Sequence, residues 1–348
     1  MAVRRGRKKE MSEGNLLLLS SVQRVASIQK GTGLTDRQTH CRFANGYVMA
    51  TNDVEMIGIP VTGLAIECCP HSKTLVAALE RCEADITFTL EGSVLTVKSG
   101  RVRVPVPCLD ASALADLGPD PRQGDAGPEL AAALGQAAAV VLETADNPMC
   151  RAVFMGPQTV EGIHDSKVMI QVWHGVSPLP CVNLPKESAL NVSKHPSKLV
   201  ALGVSVGSAT FWYEDNSYLR TCLYDVKRPD FDKLIECKVN TKPSPIDAGF
   251  YDAIKTVLPF SKNALQDGYD EAITFEDGKV WAGIHAHDDV ASFEYPCEPM
   301  QSATINGNFI LMFEKTAKEI VYDDFERKLY MRGGNMRAVL MGMRRRGE

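Results

Sequence analysis

The sequence predicts an α+β fold of three tandem domains, each with two helices packed on antiparallel sheets, and three observations carry that prediction. The first is a change of period within residues 73–109. Leu75, Leu79 and Cys82 share one face at helical spacing, and Ser72 stands where a first-turn cap would. From Ile86 the period becomes two, with Ile86, Phe88 and Leu90 on one side and Thr87 and Thr89 on the other. Glu91-Gly92-Ser93 is turn chemistry, residues 94–98 form a second strand, and Ser99-Gly100 interrupts it. Val102, Val104 and Val106 then alternate with Arg101 and Arg103. The second observation is that this plan restarts. Opening helices begin near Leu16, Glu129 and Asp247, and second helices near Ser72, Lys186 and Gly307. The interval is about 115 residues, longer than a solenoid period and right for whole domains. The third is size, since 348 residues exceed one ordinary core. The boundaries expected are 1–123, 124–240 and 241–348, with a basic amino-terminal arm over 1–14.

The arm carries Arg4, Arg5, Arg7, Lys8 and Lys9 and reads most plainly as a solvated tail. A helix over 16–28 carries Arg24. Gly31-Thr32-Gly33 is not a phosphate loop, because no strand precedes it and no Gly-Lys-Ser/Thr follows. Strands are expected over 39–44 and 47–51 around Asn45-Gly46, and over 54–61 after Asn52-Asp53. Residues 111–127, rich in Ala, Asp, Gly and Pro, form the first linker. Pro128 opens an Ala-rich helix to about 142, followed by strands 152–155, 159–164 and 168–173. Pro185 opens a helix over 186–193, and hairpin arms 199–213 and 218–224 flank Glu214-Asp215-Asn216. After a linker at 238–245 come a helix over 247–260 and strands 273–275 and 280–285. Asn306 precedes a helix over 307–316, and strands 319–322, 325–332 and 337–343 complete the chain.

Composition removes several classes of function. Apolar content of 45% and charged content of 23% are those of a soluble globular protein. The longest apolar runs fall far short of a membrane span, and no signal peptide is visible, so a cytoplasmic location is expected. Ten cysteines without a CxxC spacing fit unpaired thiols in a reducing compartment, and vicinal Cys68-Cys69 read as strand residues. The net charge of −5 gives no global attraction to nucleic acid, so any such binding depends on where the cations sit. No Gly-x-Ser-x-Gly elbow, Cys-His nucleophile pair or phosphate loop appears.

Several segments, in order along the chain, resemble the bacterial DNA polymerase III beta subunit, the DNA sliding clamp. Met49-Ala-Thr-Asn-Asp-Val-Glu-Met56 is similar to that family's Thr-x-Thr-Asp-Leu-Glu-Met. Leu90-Glu-Gly-Ser-Val-Leu-Thr-Val-Lys-Ser-Gly-Arg101 is close to its Leu-Glu-Gly…Ser-Gly-Arg run. Arg228-Pro-Asp-Phe231 resembles Phe-Pro-Asp-Tyr, Thr304-Ile-Asn-Gly-Asn-Phe309 resembles Phe-Asn-x-x-Tyr, and Met341-Gly-Met-Arg344 resembles Met-Pro-Met-Arg. The likeness covers nearly the whole chain. Departures are Gly342 for the terminal proline, the added Arg346-Gly347-Glu348, the basic arm, and Ile163-His-Asp-Ser-Lys-Val-Met169 where the family has Ala-Thr-Asp-Gly-His-Arg-Leu. This pattern fits a divergent clamp of bacteriophage origin.

The resemblance implies a protein that is not an enzyme and needs no cofactor, a crescent of three DNA-clamp domains that closes as a head-to-tail homodimeric ring around double-stranded DNA, with helices lining the hole. Lysines and arginines there attract phosphates without reading bases. Candidate lining residues are Arg24, Lys73, Arg81, Lys186, Lys194, Lys198, Lys255 and Lys262, each of which also reads as an ordinary solvated helix residue. The Ala-rich helix carries no cation. The resemblance also implies a pocket that accepts a Gln-Leu-x-Leu-Phe-like peptide from the polymerase, the clamp loader and other partners. Carried over by position, its residues are Phe154, His164, Lys167, Met169, Pro229, Lys233, Leu234, Asn306, Phe309, Leu340, Met341, Met343 and Arg344, the apolar ones reading equally as core. Two other readings stand beside this one. A virion or structural protein of repeated β-rich domains would share the repeat, and His285-x-His287-x-Asp289 is similar to a metallohydrolase metal motif, although Val290 stands where a further histidine is needed. No metal is expected.

Overall fold

The computed structural model describes residues 13–29, 35–83, 85–165, 167–175, 180–240, 242–261, 271–284 and 289–343. The arm through residue 12, the Gly31-Thr32-Gly33 loop, Lys262, His285, His287, Arg344 and the terminal Arg346-Gly347-Glu348 lie outside the described residues.

The first pass runs α1 (Glu13–Ser27), β1 (Arg42–Ala44), β2 (Tyr47–Thr51), β3 (Glu55–Pro60), β4 (Cys69–Pro70), α2 (Ser72–Leu79), β5 (Thr87–Glu91), β6 (Val94–Ser99) and β7 (Val102–Leu109). The second runs β8 (Gly124–Asp125), α3 (Pro128–Val140), β9 (Ala152–Met155), β10 (Thr159–His164), β11 (Val168–Trp173), β12 (Val182–Pro185), α4 (Lys186–Ser193), β13 (Leu199–Ser205), β14 (Ser208–Tyr213) and β15 (Tyr218–Cys222), then the short α5 (Phe231–Leu234). The third runs β16 (Ser244–Pro245), α6 (Ala248–Ser261), β17 (Ala272–Glu276), β18 (Lys279–Ala282), β19 (Ser292–Glu294), β20 (Ala303–Asn306), α7 (Gly307–Leu311), β21 (Glu319–Asp323), β22 (Lys328–Gly333) and β23 (Met336–Met341). Helix, three strands, short strand, helix, three strands is thus spelled out three times.

Contacts divide the chain into two compact units that do not follow the passes: residues 1–128 with 195–223, and residues 129–194 with 224–348. The first unit holds a seven-stranded sheet, β1-β2-β3-β15-β14-β13-β8, and a four-stranded sheet, β4-β7-β6-β5. The second holds an eight-stranded sheet, β12-β9-β10-β11-β23-β22-β21-β16, and a four-stranded sheet, β19-β18-β17-β20. One joint recurs in both large sheets. The last strand of a first meander pairs antiparallel with the last strand of the next pass's second meander. Tyr218 lies opposite Gly58 through to Thr221 opposite Glu55. Val168 lies opposite Leu340 through to Val172 opposite Met336.

Each pass stacks its two helices together on a sheet. α1 buries Leu18, Ser21, Val22 and Val25, a single stripe at 3.6-residue spacing, against α2 and the first meander. α3 reaches β10 because Gly162 has no side chain: a Cβ there would lie 2.5 Å from the Ala137 carbonyl oxygen. Gly135 admits Ser193 of α4 in the same way, at 2.9 Å from a built Cβ, and Gly307 of α7 admits Leu258 of α6 at 2.8 Å. In β7, Val102, Val104 and Val106 turn inward and Arg101, Arg103 and Pro105 are exposed, as the alternation requires.

The structure departs from expectation at defined places. His71, not Ser72, caps α2: its Nδ1 accepts the Thr74 N–H at 3.4 Å, while Ser72 is buried. The arm expected over 199–213 is two strands, because Gly207 takes φ +81° and turns the chain beside fully exposed Val206. α7 ends at Leu311 and continues to Thr316 only as turns. Strands β12, β19 and β20 and the single turn α5 are too short to show a period in sequence.

Candidate functional site

The expected basic residues fall on helices or beside them, with unequal exposure. Arg24 is half-buried in the last turn of α1, and burial lowers its pKa against the opposing pull of Asp215. Lys73 is exposed in the first turn of α2, and Arg81 is exposed just past its end. Lys186 is the half-buried first residue of α4, Lys194 is its exposed C-cap, and Lys198 is exposed before β13. Lys255, exposed on α6, is ion-paired with Glu314. Arg81 and Lys194 also complement the carbonyl ends of their helices, a structural role that needs no ligand. α3 has no cation at all. Exposed Lys315, on the turn after α7, lies outside the expected set and carries no sequence signal beyond its nearness to that helix.

The expected peptide pocket is more coherent. In the β10–β11 hairpin Lys167 N–H donates to the His164 carbonyl at 2.7 Å, and Met341 N–H donates to the Lys167 carbonyl at 2.8 Å. The His164 ring meets the Phe309 ring edge-on at 4.7 Å. Asn306 caps α7 by accepting the Phe309 N–H at 3.2 Å, and Met343 N–H donates to the Thr304 carbonyl at 2.8 Å. The structure therefore joins His164, Lys167, Asn306, Phe309, Met341 and Met343. Phe154 and Leu340 are wholly buried, and Met169 is in the same core cluster as Phe154, Phe231 and Ile235. The half-buried Pro229 and exposed Lys233 and Leu234 sit on or just before α5, which reaches the patch through Phe231, 5.5 Å from the Phe154 ring. A cavity of about 330 Å³ opens beside Met343, lined also by Thr304, Tyr322, Asp324 and Arg327. Nδ1 of His164 is buried without a hydrogen-bond partner, and burial, reinforced by Lys167 and Lys186, lowers its pKa.

A buried polar spine supports this patch. Glu161 is fully buried on β10; Arg228 donates to it from Nη2 at 2.7 Å and Nε at 3.2 Å, and Gln171 donates to it at 3.1 Å. Arg337 donates to Gln171 at 2.7 Å and to Asp232 at 2.5 Å. The Arg228-Pro-Asp-Phe231 segment is thereby tied to β10, β11 and β23. Removing either member of a buried pair of this kind costs about 3–5 kcal/mol.

One cluster outside the expected set looks catalytic and is wired otherwise. The His195 ring stacks on Tyr213 with centroids 3.3 Å apart. Its Nδ1 accepts the Ser197 N–H at 3.2 Å, so the proton is on Nε2, which faces Ser217 Oγ at 3.2 Å. Ser217 in turn donates to Asp215 at 2.5 Å. The imidazole presents a donor to a hydroxyl already committed elsewhere, and burial brings its pKa down to about 4. Packed on Tyr213 and bonded to Ser197 and Ser217, it braces a turn. Among the described residues no group of histidine, cysteine and carboxylate side chains could hold a metal ion, and the ten thiols are all free. No described helix is long and apolar enough to cross a membrane.

No protein-family profile matches the chain, and no curated protein matches it. Solved structures do. The DNA polymerase sliding clamp of Pseudomonas aeruginosa is similar with a TM-score of 0.78 at 14% identity, covering 95% of this chain and 98% of that one. The beta clamp of Helicobacter pylori bound to a DNA ligase peptide gives 0.75 at 15% identity, with the same coverage. A putative DNA polymerase III beta subunit from Eubacterium rectale gives 0.76 at 11% identity, again over 95% and 98%. The chain has the fold of the bacterial sliding clamps along its length.

Proposed function

We propose that this chain is a DNA sliding clamp, a non-enzymatic homodimeric ring that encloses duplex DNA and tethers a polymerase. The observation that carries the reading is the recurring sheet joint, β3 with β15 and β11 with β23, beneath paired helices. A unit that joins to its neighbour by one rule, twice within the chain, can close on a second copy by the same rule. On this reading the domains are 1–123, 124–240 and 241–348, the exposed cations of α2 and α4 face phosphates, and topology rather than affinity keeps the ring on DNA. Free thiols fit work in the cytoplasm, and the altered 163–169 segment and terminal Gly342 fit a bacteriophage clamp with its own partners. The test is gel filtration of the chain loaded on nicked circular duplex. Co-elution with the circle, abolished when the circle is cut once, is expected; equal retention on circle and linear DNA overturns the reading.

The patch around Phe309 is, on this reading, where partner peptides dock, with apolar side chains entering beside Met343 and Leu234. A labelled Gln-Leu-x-Leu-Phe peptide should lose about tenfold or more in affinity to Phe309→Ala and Met343→Ala, in line with apolar anchors elsewhere. Unchanged titrations with both variants would reject this docking site.

A further inference from the structure

We infer that the far end of β11 carries a nucleotide site, in which a base stacks on Trp173 and its phosphate lies against Arg332 and Lys318. The site stands apart from the clamp reading and uses none of the residues assigned there to duplex or peptide. On β11, Val168, Ile170 and Val172 pack on one face, and Met169, Gln171 and Trp173 fall on the other. Met169 and Gln171 are covered, but Trp173, at the strand's end, is 38% exposed. An indole left that open forgoes the burial that a large aromatic ordinarily gains. It is nevertheless held in place. Trp173 N–H donates to the Asn335 carbonyl at 2.8 Å, and Asn335 Nδ2 donates to the Trp173 carbonyl at 2.6 Å. The Arg337 guanidinium lies over the ring, 5.2 Å from its centroid. A fixed, half-open aromatic surface is what a base needs for stacking.

The same face of the sheet sets cations beside the ring. Arg337 lies directly opposite Arg332, and Arg332 opposite Glu319, so the three side chains form one cross-strand row. Like charges placed directly opposite repel. Arg337 is taken up by Asp232, to which it donates at 2.5 Å. Arg332 is exposed and, among the described residues, makes no ion pair, even with Glu319. Lys318, whose N–H donates to the Arg332 carbonyl at 2.7 Å, is likewise exposed and unpaired among the described residues. These groups and Trp173 line a cavity of about 510 Å³, within the roughly 300–1,000 Å³ of small-molecule sites. Gly334, with φ +53° and nothing within 4 Å of a built Cβ, leaves part of the rim free of any side chain. An anion against Arg332 and Lys318 relieves the repulsion between the two arginines, and a flat ring on Trp173 covers the open indole. A ligand that carries both groups a sugar's length apart is a nucleotide. Glu319 is the one carboxylate in the lining and opposes the phosphate.

The experiment is titration of the full chain, followed by tryptophan fluorescence, with deoxyadenosine 5′-phosphate, with deoxyadenosine, and with a short single-stranded oligodeoxyadenylate. Trp173 is the most exposed of the three tryptophans, so a base on its face should quench the emission. The nucleotide should bind about tenfold more tightly than the nucleoside, because only it brings an anion to the arginine and lysine. In anisotropy titrations of the labelled strand, Trp173→Leu should bind about tenfold more weakly. Arg332→Gln and Lys318→Gln should each weaken binding about fivefold, and Glu319→Gln should tighten it, with melting temperatures unchanged. The Lys194→Ala/Lys198→Ala variant should be quenched as the parent is, which separates this site from the cations of the clamp reading. A strand that binds more tightly than the mononucleotide upholds the site and makes single-stranded DNA its source; equal affinities uphold it and make the source a free nucleotide. Absence of quenching by either, or parental affinity in both Trp173→Leu and Arg332→Gln, overturns the site and leaves the clamp reading intact.

Discussion

His195 shows at the scale of one residue how the fold trades titration for packing. Stacked on Tyr213 and backed by the Arg24 charge, its imidazole is held neutral, with a pKa of about 4 against an ordinary 6.5. Between those two pH values the unfolded chain binds a proton that the folded chain refuses, so folding stability falls as pH falls. The contribution is complete above about 6.5 and is lost as pH drops toward 4. Burial also lowers the pKa of His71, His164 and His174, which adds in the same direction. Thermal melts should therefore show a lower Tm at pH 5 than at pH 7.5, and His195→Gln should flatten part of that difference. An equal drop in the variant and the parent would remove His195 from the account.

At the scale of elements, legibility followed length and period. β9, β10, β11 and α4 lie where the sequence places them, because each is bounded by a turn or proline and carries an unbroken pattern. β12, β19 and β20 are three or four residues long, and four positions cannot establish a period of two. The split at Gly207 was hidden because Ser205 and Ser208, on either side of Val206-Gly207, read as strand polar positions; only the left-handed glycine marks the turn. For the site, the motifs around Asn306 and Met341 were readable, but the depth of each side chain was not. Phe154 and Leu234 are equally apolar in the sequence, yet one is wholly buried and the other is 37% exposed.

For the molecule as a whole, the clamp reading makes charge and topology separable contributions to holding DNA. The chain carries 43 acidic and 38 basic residues, so on that reading its net charge opposes a duplex at long range and the attraction is expected from local exposed cations such as Arg81, Lys194 and Lys198. Each phosphate neutralised adds about 0.9 to the slope of log affinity against log salt. A dimer in which Lys194 and Lys198 both touch DNA makes four such contacts from these positions, so Lys194→Ala/Lys198→Ala should reduce the slope by roughly 3 to 4. Anisotropy titrations of a short linear duplex between about 50 and 200 mM salt measure that slope. Retention on a closed circle should respond differently, because a linked ring leaves only when a joint opens and not when a phosphate contact breaks. The double variant should lose linear-duplex affinity and still stay on the loaded circle as long as the parent does. A variant that fell from the circle in proportion to its lost affinity would show that attraction, not enclosure, holds this protein on DNA.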